Sequence, residues 1–226
     1  MSNINVLKRD GTTEELNLEK VHKMVEFACE GLAGVSASQV EIQSGLQFCD
    51  GITSNDIQEI LIRSASDLIT EEHPNYQFVA ARLLLFGLRK AVHGHPEILP
   101  PLLEHVKGCI DKGVYDSTIV NRYSHEEWDR INSFVDHERD YLFTYAGLRQ
   151  VVDKYLVQDR STGEHYESPQ QMYIMIAATL FANYPTETRL DYVQRYYNAI
   201  SRHKINIPTP IMGGVRTPIR QFASCV

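Results

Sequence analysis

The chain has 226 residues, 43% of them hydrophobic, with 22 basic against 29 acidic side chains and a formal charge of −7. That length can bury a sizeable core in one large or two small domains, and an acidic chain this apolar is neither a general nucleic-acid coat nor a disordered tail. The longest apolar run, Met172 to Ala182, is far short of the roughly 18 residues of a membrane span, and the N-terminus lacks the pattern of a signal peptide, so a cytoplasmic protein is expected.

Residues 4–9 and 12–16 read as a β-hairpin about an Asp10-Gly11 type I′ turn, which would pair Arg9 with Thr12 and Lys8 with Thr13. Asn17 caps a helix that carries Leu18, Val21, Met24, Val25, Ala28 and Leu32 at helical spacing, with Glu19 in its first turn and Gly31 at its end. Ser36 with Gln39 forms a capping box before Val40, Ile42 and Leu46. Thr53 with Asp56 opens a third helix through Ile57 and Leu61, and Pro74 starts a fourth that runs to about Val92. Pro96, Pro100 and Pro101 mark a boundary after this first unit.

The second half is also helical. Helices are expected at Leu102–Asp111, at 126–135 (capped by Ser124 with Glu127), at 144–156, from Ser168-Pro169, and from Pro185 to about Ser201. Residues 155–167 read as a second hairpin around Ser161-Thr162-Gly163. From Ile205 the pattern changes to short apolar runs punctuated by Pro208, Pro210, Gly213, Gly214 and Pro218. Residues 221–226 are strand-like with nothing left to pair with, which suggests one piece of a larger fold, a frayed, disordered terminus being the ordinary alternative.

Lys8, Arg9, Glu14, Asn17 and Lys20 form a candidate anion cradle. Cations at the end of the hairpin would sit near a helix start whose free amides carry partial positive charge, and Glu14 or Asn17 can bond ribose and base groups. On residue type alone, charged hairpin side chains are ordinarily solvated. Arg195, Arg202, Lys204, Arg216 and Arg220 form an acid-free stretch near the C-terminus, read either as a local anion site or as a solvated terminal segment. The histidines are scattered, with only His93 and His95 close together as a solvated loop pair. No zinc spacing, P-loop or dinucleotide-binding glycine pattern occurs, and no metal is expected. Cys29, Cys49 and Cys109 read as packing residues in helical patterns, and Cys225 taken alone as a small buried hydrophobe.

The stretch Val6-Leu7-Lys8-Arg9-Asp10-Gly11 through Asn17-Leu18-Glu19-Lys20-Val21-His22 resembles the ATP-cone, the regulatory nucleotide-binding domain at the start of many ribonucleotide reductases. The resemblance implies that Lys8 and Arg9 contact phosphates, that Glu14, Glu15, Leu16, Asn17, Leu18, Glu19 and Lys20 line the nucleotide, and that Ser54 and Lys90 contribute from later helices. Ser54 stands where relatives carry Thr, and Gln58 where they carry His, which bears on discrimination between activating and inhibitory nucleotides.

The whole chain resembles the N-terminal part of the large (α) subunit of class I ribonucleoside-diphosphate reductases. The resemblance is carried by Phe134-Val135-Asp136-His137-Glu138-Arg139-Asp140, Lys154-Tyr155-Leu156-Val157-Gln158, Pro208-Thr209-Pro210-Ile211-Met212, and Gly214-Val215-Arg216-Thr217-Pro218 with Arg220 to Val226. The implied fold is mainly α: a small β-hairpin and helical ATP-cone over 1–95, then a helical domain over 96–204. This leads into the first strands, 205–226, of an incomplete ten-stranded α/β barrel.

Under the same resemblance, Cys225 is one of two thiols that reduce the ribose 2′ position and become a disulfide, while Thr209 and Ser224 hold the substrate's phosphates and ribose. ATP and dATP, with Mg, would be allosteric effectors, and a radical and iron centre would lie in a separate small (β) subunit. Implied partners are the C-terminal part of the large subunit, that small subunit, a ribonucleoside diphosphate, and a thioredoxin- or glutaredoxin-type reductant, with no nucleic acid and no membrane. The second redox thiol and the radical-bearing cysteine would lie beyond Val226, so the chain alone is expected to be inactive, either cut from a longer enzyme or one part of an enzyme encoded in pieces. The alternatives are a non-enzymatic ATP-cone regulator, a class that carries the paired Cys-x-x-Cys motifs absent here, and a ligand-free helical scaffold.

Overall fold

Val6 is the buried centre of a three-stranded sheet around which the first unit is built. The computed structural model describes residues 4–45, 47–219 and 222. Its packing separates Met1–Gly87 with Phe143–Arg149 from Leu88–Leu142 with Gln150–Val226.

In the first unit, β1 (Asn5–Leu7) pairs antiparallel with β2 (Thr13–Glu15), in the register Asn5↔Glu15, Val6↔Glu14 and Leu7↔Thr13. On its other edge β1 pairs parallel with β3 (Ile52–Thr53), a two-residue strand too short to show a period in the sequence. Asn5 secures that edge by donating from its backbone N and Nδ2 to Asp50 Oδ1, at 2.8 and 2.9 Å. Four helices follow: α1 (Leu18–Cys29), α2 (Ala37–Gly45), α3 (Ser54–Asp67) and the first part of α4 (Tyr76–His93). Val25, Val40, Leu61, Ala65, Val79 and Leu83 supply buried faces. Gly87 permits a close approach: a Cβ there would lie 3.0 Å from Gln58 Cγ, and Gln58 Nε2 donates to Leu83 O at 2.7 Å.

The second unit holds α5 (Leu102–Asp111), a 3-10 turn at Ser117–Arg122, α6 (His125–Phe134), a second 3-10 turn at His137–Leu142, and the last residues of α7 (Tyr145–Lys154). A short hairpin of β4 (Gln158–Asp159) and β5 (Glu164–His165) precedes α8 (Pro169–Phe181), α9 (Thr186–Ser201) and α10 (Thr209–Gly214). Helix α8 is buried from Pro169 to Ala178 and packs against α9 and α10. The Phe134 to Asp140 run supplies a buried polar network. Asp140 accepts from Arg89 Nη2 at 2.8 Å and from Gln170 Nε2 at 2.9 Å, and Tyr197 donates to Gln170 Oε1 at 2.7 Å. Burial pushes the Asp140 carboxyl up, against the opposing pull of Arg89.

Several expectations are revised. The hairpin turn is not the two-residue type I′ form. Lys8 N donates to Thr12 O at 2.8 Å and Gly11 N to Lys8 O at 3.0 Å, which leaves a three-residue Arg9-Asp10-Gly11 loop. Gly11 alone in that loop has positive φ, 84°, whereas a type I′ turn needs two such residues. The Ser36–Gln39 capping box is replaced by a tyrosine bridge: Ser36 N donates to Tyr76 Oη, whose hydroxyl donates to Gln39 Oε1. Leu18 and Ile42, placed by spacing on apolar faces, are 65% and 71% exposed, and Leu46 lies outside the described residues. Cys49 is exposed in a turn after α2 rather than packed in a helix. Within 205–219 the described regular element is helix α10, not a strand, because Pro208 and Pro210 at its start suit a first helical turn. The strand-like run 221–226, apart from Phe222, lies outside the described residues.

His93 is no solvated loop residue. It ends α4 with its ring 5.7 Å from that of His105, while His95 alone stays exposed. His93 Nε2 and His137 Nδ1 are buried without a hydrogen-bond partner. Desolvation lowers His93 and His137 to about 4 and His105 to about 3, with Arg89 also acting on His93 and His137, and the other two histidines, Arg216 and Lys112 acting on His105. All three are therefore neutral when folded but take up protons near 6.5 once unfolded. Stability is predicted to fall as pH drops below about 6.5 and to go on falling toward about 4. Urea midpoints across that range, with loss of hydrogen-exchange protection in α5, measure the effect.

Candidate functional site

Two helix starts and the end of the hairpin supply the candidate cradle. Asn17 Oδ1 accepts from Lys20 N at 3.0 Å and caps α1, as its residue type directs. Thr53 caps α3: its Oγ1 accepts from Asp56 N at 3.0 Å, and Asp56 Oδ2 accepts from Thr53 N at 3.4 Å. Ser54 is thus the first residue of α3, half-buried. Arg9 Nε donates to Asn55 Oδ1 at 2.8 Å, tying the hairpin loop to the next residue of α3. Sequence reasoning missed Asn55, whose only local signal is its place beside Ser54 at a capped helix start.

The register sorts the remaining residues by face. Glu14 stands opposite Val6, and Lys8 follows two residues later, so these three share one face of the sheet, whereas Glu15 stands opposite Asn5 on the other. Lys8 Nζ donates to Glu14 Oε1 at 2.8 Å, and Lys20 Nζ lies 3.5 Å from the same oxygen. The Lys8 hydrogen bond, helped by the Lys20 charge, holds the Glu14 carboxyl below the usual carboxylate range. Leu16 is half-buried, and Leu18 and Glu19 are exposed on the first turn of α1, where Glu19 pairs with Lys23 Nζ at 2.7 Å. Lys90 is exposed on α4 beyond Gly87, where the first unit ends. The structure therefore brings Lys8, Glu14 and Lys20 into contact and joins Arg9 to the start of α3.

The second group of candidates lies in the other unit. Thr209 opens α10 and is exposed, while Ser224 and Cys225 lie outside the described residues. Arg216 is not part of a solvated cationic tail: it is fully buried, and its Nε donates to Glu167 Oε2 at 2.8 Å. Its other groups reach Glu167 Oε1, Met212 O and, at 3.0 Å, Tyr155 O. These bonds hold the C-terminal end of α10, beside a cleft of about 330 Å³ lined by Lys154, Leu156, Pro210 and Thr217. Cys109 is buried, with its thiol pushed up to about 12 chiefly by desolvation, as an inert packing residue requires.

Residues 4–91 match the model of the ATP cone domain, and residues 141–220 match that of the ribonucleotide reductase all-alpha domain. The chain is 53% identical over 224 residues to the ribonucleoside-diphosphate reductase 1 subunit alpha of Escherichia coli K12, covering 99% of this chain and 29% of that protein. It is 52% identical to the alpha subunit of Haemophilus influenzae (98% of this chain, 29% of that one) and 42% identical to that of Enterobacteria phage T4 (100% and 30%). It thus spans less than a third of the length of these relatives. The class is an ATP-cone joined to a reductase all-alpha domain. Over nearly its whole length the chain is similar to the N-terminal portion of ribonucleoside-diphosphate reductase alpha subunits, and it carries both of those domains. The reading as a non-enzymatic ATP-cone regulator is not favoured, since the second match is to a domain of the enzyme.

Because the Thr53 hydroxyl accepts from Asp56 N at the start of α3, Thr53→Ala is expected to cost about 1 kcal/mol. A lowered urea midpoint, with faster amide exchange confined to the first turn of α3, is the result to look for.

Proposed function

We propose that this chain is the effector-sensing portion of a reductase that converts ribonucleoside diphosphates to deoxyribonucleotides. The observation that carries the reading is the ATP cone match over residues 4–91, which spans the Lys8, Glu14 and Lys20 contacts and the Arg9–Asn55 bond. ATP or dATP, accompanied by Mg, binds with its phosphates at Lys8 and Arg9, while the Glu14 to Lys20 segment and Ser54 line the nucleotide and Lys90 completes the site. Each charge-assisted bond to phosphate contributes about 1.5–3 kcal/mol.

In the reductase reaction, Cys225 and a second thiol outside this chain give up two electrons and form a disulfide. The ribose C2′–O bond breaks, the oxygen leaves as water, and C2′ gains hydrogen. Thr209 and Ser224 hold the diphosphate and ribose. The chain acts with the rest of the alpha subunit, a small subunit bearing the radical and iron centre, and a thioredoxin- or glutaredoxin-type reductant, in the cytoplasm. Among the described residues no helix is long and apolar enough to cross a membrane.

Calorimetry on the Lys8→Ala/Arg9→Ala double variant is expected to show ATP and dATP binding weakened together by at least about tenfold. Binding at full strength would remove the effector site from this reading. In the enzyme assembled with the remaining alpha-subunit sequence and the small subunit, Cys225→Ser should abolish turnover and leave ATP binding intact. Sustained turnover by that variant would refute the redox role.

A further inference from the structure

One carboxylate oxygen, Glu14 Oε1, serves two ammonium groups at once: Lys8 Nζ at 2.8 Å and Lys20 Nζ at 3.5 Å. The arrangement follows from the backbone. The three-residue loop sets Glu14 opposite Val6, so that Glu14 and Lys8 rise from the same face, while Asn17 starts α1 where Lys20 reaches back to them. Other charged groups nearby have different partners: Arg9 bonds Asn55, Asp10 accepts from Thr12, and Glu19 pairs with Lys23.

We propose that Glu14 is the internal counter-anion of the cradle, a carboxylate that occupies Lys8 and Lys20 in the free chain and must give them up when a phosphate arrives. This rests on the effector-binding reading above. Phosphate and carboxylate oxygens offer an ammonium the same charge-assisted bond, so binding is an exchange of anions rather than an addition to bare cations. The exchange is feasible because the groups are partly solvated, with side-chain exposures of 34% for Lys8, 42% for Glu14 and 66% for Lys20, and ion pairs at such exposure are weak. A polyphosphate carries several charges against the single charge of Glu14 and wins the competition. A residue that only contacts the bound nucleotide has the opposite signature, since removing its charge would weaken binding.

The test is calorimetric titration of the full chain with inorganic tripolyphosphate and with ATP, comparing wild type with Glu14→Gln at low and high salt. Glu14→Gln should bind tripolyphosphate about fivefold more tightly at low salt, with the gain shrinking as salt rises. Thermal unfolding that matches wild type would place the gain in binding, since the Glu14 side chain is exposed and pairs with two partly solvated lysines. Wild type that binds ATP while Glu14→Gln binds tripolyphosphate equally or more weakly would overturn the proposal and leave the effector site standing. Failure of wild type to bind ATP would overturn the effector reading and this inference with it.

Discussion

Glu167 and Arg216 are both sealed from solvent, and a buried pair of charges persists only when every lone pair and proton finds a partner. Here that condition is met from several directions. The Glu167 carboxylate accepts from Arg216, from Val157 N at 2.6 Å and from the Tyr115 hydroxyl. Arg216 in turn reaches Met212 O and Tyr155 O, and its own carbonyl accepts from Asp116 N at 2.9 Å. Four stretches of the second unit (115–116, 155–157, 167 and 212–216) are therefore fastened at one point. Taking away either charge leaves the other stranded, at a cost of about 3–5 kcal/mol. The placement of α10, and of Thr209 at its head, rests on this bond together with the packing of α10 against α8.

In the first unit the governing quantity is loop length. A two-residue turn would set Lys8 opposite Thr13, and every side chain of β2 would change faces relative to β1. The three-residue loop, held by the Asp10 carboxylate accepting from Thr12 N and Oγ1 at 2.9 and 2.6 Å, sets Lys8 and Glu14 on one face. Backbone conformation at Asp10 thus decides whether the lysine and the glutamate can meet.

Features set within a few residues were legible in the sequence. Asn17, Thr53 with Asp56, and Ser124 with Glu127 cap their helices as residue type and spacing indicate, because the bonds span three residues. The Asp10-Gly11 pair announced a turn but not its type, since both hairpin forms want Gly at positive φ and only Asp10 distinguishes them. Contacts across long separations left no such mark. β3 joins β1 from 46 residues away, Arg9 finds Asn55 at the same separation, Arg216 meets Glu167 at 49, and the His93 and His105 rings meet from separate helices. The motifs of residues 134–140 and 214–218 pointed to a family without revealing that Asp140 and Arg216 are buried polar anchors. For the cradle, the residue types were readable, whereas the shared use of Glu14 by two lysines required the register.

Helix α8 has a consequence for how the chain is made. From Met172 to Ala182 it carries no charged side chain, and its faces are closed in large part by α9, through Val193, Tyr197 and Ile200. Synthesis delivers these in the wrong order for comfort: the sticky segment leaves the ribosome before its cover has been translated. During that interval it is open to association with neighbouring nascent chains or to capture by chaperones. A pause in translation between Ala182 and Ile200 would lengthen that exposure, so codon choice over α9 bears on the yield of folded protein, although it alters no residue of the finished fold.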